Sequence, residues 1–144
     1  MTDTSTDPRL SDLDGFRVEI DPERQRGDII LSRPPMNVIS MGQRDELRVA
    51  FEELDADDRV RVIAPRAEGD NFSSGGYIRG FLDASPEHVS HLADNIAAPW
   101  RCAKPVIAAN QGYTFGYGAD ALMDEVRERI RDLFEAPEAA VYLV

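Results

Sequence analysis

Asn71-Phe-Ser-Ser-Gly-Gly-Tyr-Ile-Arg79 and Pro105-Val-Ile-Ala-Ala-Asn-Gln-Gly-Tyr-Thr-Phe-Gly-Tyr-Gly118 decide how this chain is read. Each stretch carries an apolar, strand-like run through a glycine-rich turn towards a helical pattern. A turn poor in side chains leaves backbone N–H groups free, and a helix N-terminus behind it adds positive partial charge. Two such turns converging on one point would make an oxyanion hole, which stabilises negative charge developing on a carbonyl oxygen.

Upstream of the first turn, Arg59-Val-Arg-Val-Ile-Ala64 reads as a strand. Pro65 stands at its end, tolerable at an edge and awkward in a sheet centre because proline cannot donate to a ladder. Before it, Ser40 is a candidate N-cap for a helix to about Leu54, with Leu47, Ala50, Phe51 and Leu54 on one face. Asp55-Ala-Asp-Asp58 reads as a solvated turn, since a calcium loop would need a glycine and a distal glutamate that are missing. Phe16-Arg-Val-Glu-Ile20 alternates apolar and polar, and Asp28-Ile-Ile-Leu-Ser32 after a polar turn reads as a second strand, so the pair predicts a hairpin, ended by Pro34 and Pro35. Residues 1–14 are polar and aperiodic and read as a mobile tail.

Downstream, Ser85 as N-cap, Pro86 and Glu87 signal a helix that runs to about Arg101. Residues 105–109 form a short buried strand that leads directly into the second turn. Residues 119–134 predict an amphipathic helix with Leu122, Val126, Ile130 and Leu133 on one face, and 139–144 begin another apolar strand. An apolar end of this kind predicts a truncated domain, and self-association.

Composition narrows the function. The chain has 144 residues, 42% apolar and 30% charged, as expected for a single globular domain. A net charge of −11 with scattered arginines argues against nucleic-acid binding. Cys102 is the sole cysteine, which excludes an internal disulfide and a cysteine-based zinc site. No apolar run reaches membrane-spanning length and no signal-peptide pattern opens the chain, so a cytoplasmic location is expected.

Arg33-Pro-Pro-Met-Asn-Val38, Phe72-Ser-Ser-Gly-Gly-Tyr-Ile-Arg79 and Lys104-Pro-Val-Ile-Ala-Ala-Asn-Gln-Gly-Tyr113 together resemble the crotonase (enoyl-CoA hydratase/isomerase) family over about residues 16–118. The resemblance implies an α/β fold of ββα units, here partial, and acyl-CoA chemistry in which two backbone N–H groups hold the thioester carbonyl while an enolate forms. Matched motif to motif, it implies Gly76 as the first oxyanion donor and Tyr117 as the second. It implies Ser74, Gly75 and Arg79 along the coenzyme A. Asp120 falls where the hydratase-type glutamate would stand; a helix first-turn carboxylate is the plainer role for it. Coenzyme A then enters as part of the substrate, with no covalently bound cofactor, and the protein is expected to form a homo-oligomer.

From about Tyr117 the pattern changes. Residues 117–144 resemble the early part of low-specificity threonine aldolases, which are pyridoxal-phosphate enzymes, but that family's phosphate turn and Schiff-base lysine are absent, so no pyridoxal phosphate is expected. A hybrid or frameshifted product joined near Gly116 to Gly118 accounts for both resemblances, with 15–118 a truncated crotonase-like domain and 119–144 a helix-strand segment of different ancestry. The alternative to an enoyl-CoA hydratase/isomerase is a non-catalytic fragment that acts at most as a binding or interaction module. Elsewhere, His88 and His91 read as solvent-facing, Cys102 as a small buried residue, and Trp100, Tyr113 and Phe115 as core.

Overall fold

Period-two alternation of apolar residues builds the first unit of the fold. Phe16, Val18 and Ile20 point to one side of strand β2 (Phe16–Asp21) and are all but fully buried. Strand β3 (Arg26–Leu31) pairs with it antiparallel, Phe16 opposite Leu31 and Asp21 opposite Arg26, which is the hairpin that the alternation predicts. The computed structural model describes residues 3–4 and 8–114. Within them a four-stranded sheet has the order β1-β2-β3-β4, where β1 is Asp3–Thr4 and β4 is Val62–Ala67. β3 and β4 run parallel, so the chain must cross over between them, and helix α1 (Met41–Ala56) makes the crossing.

α1 starts where its sequence says it should. Ser40 Oγ accepts from Gln43 N–H at 3.1 Å and Gln43 Oε1 accepts from Ser40 N–H at 3.2 Å, a complete capping box. Ala50, Phe51 and Leu54 are buried against the sheet, and Leu47 packs at the margin of the same cluster. The helix runs two residues past Leu54. Lys104 Nζ closes it by donating to Leu54 O at 2.9 Å and Asp57 O at 2.6 Å.

β4 begins at Val62, three residues later than the sequence suggests. The reason is local: Arg59 N–H and Val60 N–H are drawn into a turn on Asp57, and Arg61 N–H donates to Gln25 O at 2.6 Å. Pro65 therefore sits inside the sheet, with β3 on one side and residues 105–109 on the other. Ile63 N–H donates to Pro105 O, Ile107 N–H to Ile63 O and Ala109 N–H to Pro65 O, all at 2.8–2.9 Å. Pro65 has no N–H to return to Ile107 O, so this ladder is reduced to the single bridge Ile63–Val106 in place of the full strand expected at 105–109.

The segment after the first glycine turn departs most from expectation. Ser85 Oγ does accept from His88 N–H at 3.2 Å and starts a helix. The single helix expected to Arg101 is instead broken into α3 (Pro86–Ser90), α4 (Leu92–Ile96) and α5 (Ala98–Arg101), preceded by α2 (Ile78–Asp83). Pro99 is one cause, because it has no N–H for the Asn95 carbonyl one turn earlier. Trp100 and Tyr113, expected in the core, are 78% and 55% exposed.

The amino-terminal stretch read as a tail is fastened in its described parts. Asp3 and Thr4 pair with Ile20 and Glu19, Leu10 is buried in the core, and Asp14 accepts from the Arg33 guanidinium and from Ser40 Oγ. A two-residue strand, one apolar residue and one carboxylate are among its attachments, and none of them produces a periodic pattern. Among the described residues, no helix is long and apolar enough to cross a membrane.

Candidate functional site

The first glycine turn lies between two other segments and is bonded to both. On one side, Phe72 N–H donates to Gln111 O at 2.7 Å and Ser73 N–H to Tyr113 O at 3.0 Å, forming a parallel bridge Ser73–Thr114. On the other, Ser74 N–H donates to Met36 O at 2.8 Å, Ile39 N–H to Gly75 O at 3.0 Å and Tyr77 N–H to Ile39 O at 2.9 Å, around a second parallel bridge Ile39–Gly76. Between the bridges the chain changes partners through Gly75, whose φ of +91° only glycine adopts without strain. Gly75 N–H donates to Ser73 Oγ at 3.0 Å, and that buried hydroxyl donates to Asn37 O at 2.8 Å.

The backbone donors of 72–77 can therefore be accounted for one by one. Phe72, Ser73, Ser74, Gly75 and Tyr77 all have acceptors; Gly76 N–H has none among the described residues. A rigid turn that satisfies every donor but one presents that one to whatever occupies the space beside it. Gly76 is also the residue at which the family resemblance implies an oxyanion donor.

The second turn is seated against the first by side chains that the sequence reading did not single out. Asn71 Oδ1 accepts from Tyr113 N–H at 3.0 Å while its Nδ2 donates to Pro35 O at 3.0 Å. Gln111 Nε2 donates to Ala67 O and Gly69 O. Asn37, 1% exposed, accepts from Arg33 N–H and donates to Glu68 O at 2.9 Å and Asn71 O at 2.8 Å, so one buried amide ties the loop at 33–37 to the loop at 68–71. Its signal in the sequence was an amide between a proline pair and an apolar run. Gly112 has φ +55°, and a Cβ there would lie 2.1 Å from Asp70 O. That contact requires a glycine whatever follows in the second turn.

The structure thus brings Ser74, Gly75 and Gly76 together in one turn, with Arg79 exposed on α2 beyond it. Tyr117 and Asp120 lie outside the described residues, as do Phe115 and the segments 119–134 and 139–144. Among the described residues no group of three or more potential metal ligands forms. His88 is not simply solvent-facing, as its Nε2 lies 2.6 Å from Asp45 Oδ2. Cys102 packs against the core margin, and burial, with Asp55 and Glu52 nearby, pushes its thiol up to about 11. Asn110 Oδ1 is buried without a partner among the described residues.

Residues 26–125 match the family model for enoyl-CoA hydratase/isomerase. The chain belongs to this family. Its sequence is 32% identical over 96 residues to the peroxisomal bifunctional enzyme of Homo sapiens, an overlap of 64% of this chain and 13% of that protein. The same enzyme of Pongo abelii is 31% identical over 96 residues, again 64% of this chain and 13% of that protein. Among solved structures, an enoyl-CoA hydratase from Shewanella pealeana ATCC 700345 shares the fold with a TM-score of 0.65 at 20% identity, over 79% of this chain and 45% of that one. An enoyl-CoA hydratase/carnithine racemase from Magnetospirillum magneticum has a TM-score of 0.63 at 26% identity, over 76% and 43%. The chain therefore spans 13% of the curated relatives' length and less than half of these two solved enoyl-CoA hydratases. The family match continues to residue 125, past Gly118, where the sequence pattern was read as changing.

Proposed function

We propose that the protein binds an acyl-CoA thioester with its carbonyl oxygen on Gly76 N–H. The observation that carries this reading is the Gly76 donor, which has no acceptor among the described residues in a turn whose other donors are all bonded. The bridge Ser73–Thr114 supports a second donor at Tyr117, because Gly76 and Tyr117 each follow their bridge residue by three positions in the sequence. Ser74, Gly75 and Arg79 then border the coenzyme A. Family membership supports chemistry of the hydratase or isomerase type, in which removal or addition of a proton beside the carbonyl passes through an enolate. Each donor to that oxygen is worth about 3 kcal/mol of transition-state stabilisation. Asp120 is the acid/base in this reading. No covalently bound cofactor and no pyridoxal phosphate are needed, and a homo-oligomer in the cytoplasm, serving fatty-acid metabolism, is the setting proposed.

A second reading, a binding module without turnover, is favoured by Asp120 itself. Its side chain is one methylene shorter than glutamate, and a displacement of about 1 Å can cost on the order of a hundredfold in rate. Incubation with crotonyl-CoA, following loss of the enoyl thioester absorbance, separates the two when calorimetry is run beside it. Turnover supports the enzyme reading. Binding without turnover leaves the module, and neither binding nor turnover overturns both.

A further inference from the structure

Residues 78–96 leave the glycine turn and run back along α1, and polar contacts hold them there. α3 buries no residue, and Asn95 is the buried residue of α4. Asp45, one turn into α1, uses both carboxylate oxygens: Oδ2 lies 2.6 Å from His88 Nε2, and Oδ1 accepts from Asn95 Nδ2 at 2.5 Å. Asn95 Oδ1 in turn accepts from Arg48 Nε at 3.1 Å, so both ends of its amide are tied to α1. At the glycine end, Tyr77 N–H and Gly75 O both bond to Ile39, which immediately precedes the helix cap Ser40. The stretch from 78 to 87 is therefore fastened at each end to residues 39–45. Between these anchors Arg79, Leu82 and Asp83 are exposed, Leu82 at 85%.

The two anchors differ in kind. The Ile39 end is backbone pairing continuous with the glycine turn. The Asp45 end is a polar contact whose side chains are 34% (His88) and 43% (Asp45) exposed, so water can replace either partner at little cost. None of the side chains described at 79–80 and 82–91 is buried, and a segment with one firm end and one exchangeable end opens from the exchangeable end.

We propose that residues 78–91 form a strap hinged at Tyr77 and latched to α1 by Asp45 through His88, and that the latch governs access to the Gly76 donor. Asp45 is thus a positioning residue that acts through His88 and Asn95. The strap and latch stand independently of ligand; their effect on access rests on the acyl-thioester reading above.

Hydrogen exchange of the whole chain tests the latch without ligand. In Asp45→Ala, exchange of amides 78–91 rises about fivefold, as expected for loss of a partly solvated polar contact, while β2 and β3 keep wild-type protection. His88→Ala gives the same local effect and leaves the Asp45–Asn95 bond in place, which covers the case in which Asp45→Ala fails to fold. His88→Gln keeps a donor near Asp45 and restores protection. Unchanged exchange in 78–91, or an equal rise in the sheet, overturns the latch. Crotonyl-CoA supplies the functional arm: it slows exchange of 78–91 in the wild type, and Asp45→Ala weakens its binding. Faster exchange with unchanged affinity overturns the link to access. If crotonyl-CoA does not bind the wild type at all, the acyl-thioester reading falls and the ligand-free result still decides the latch.

Discussion

The sheet with α1 and the arm from α2 to α4 are neighbours in one chain held by different forces. Ile20, Ile29, Leu54, Val60 and Ile63 are at most 1% exposed and pack into a single cluster with α1. Their attachment scales with apolar area removed from water and offers no alternative partner to exchange with. The described side chains of the arm instead meet α1 through polar groups: His88 and Asn95 on Asp45, and Asn95 on the Arg48 guanidinium. Its exposed side includes Leu82, Val89 and Ile96, and its helices are short enough that none is stable without its neighbours. The glycine turn stands at the junction. Its backbone is fixed by the rigid region, through Met36, Ile39 and Tyr113, while its far end continues into the arm. A donor held rigidly beside a segment held loosely suits a site that must both orient a carbonyl and admit it.

Substitutions should break this contrast in a definite order. Leu54→Ala empties the centre of the core and should cost about 2–5 kcal/mol in urea unfolding; a loss below that range would mean that the core, too, is loosely held. Gly112→Ala combines a left-handed backbone with a backbone clash against Asp70 and should cost about 2–4 kcal/mol. It should also loosen the seating of one turn on the other, visible as new proteolytic cleavage near residues 69–73. His88→Ala, on the arm, should cost no more than about 1 kcal/mol, because the contact is partly solvated. It sharpens the comparison if cleavage between 78 and 91 accelerates while the global unfolding midpoint barely moves.

The smallest effect is that of acid. Asp14 is held below the ordinary carboxylate range by the Arg33 guanidinium, and Asp57 by the Arg59 side chain. Because both folded values are depressed, their stabilisation is present above the ordinary value of 3.8 and fades as pH falls through the folded values. Melting temperature should thus be flat from neutrality to about pH 4.5 and decline below it, modestly for two partly exposed groups. A decline that starts near pH 6 would point to other groups.

Much of the rigid region was legible in the sequence, and little of the arm. Strong alternation at 16–20, a capped helix at 40 and glycine turns at fixed places are local signals, and local signals survive into the fold. The start of β4 was misplaced because Asp57 captures the donors of Arg59 and Val60, a competition that periodicity does not reveal. The arm's start at Ser85 was visible, but its breaks at His91 and Ala97 were not. Pro99 marks the second in hindsight; we have no physical account of the first. In the candidate site, motif and backbone chemistry pointed to Gly75 and Gly76. Asn37, Asn71 and Gln111 were missed because their roles are contacts across more than thirty residues to backbone carbonyls, as with Asn37 and Glu68.

The central claim is that Gly76 N–H receives a thioester carbonyl, and its amide resonance tests this directly. On titration of the isotope-labelled protein with crotonyl-CoA, the Gly76 amide proton should move downfield and saturate with the same dissociation constant as calorimetry gives. Gly27, paired within the sheet, should stay in place. Binding of crotonyl-CoA that leaves the Gly76 resonance unmoved would contradict the account.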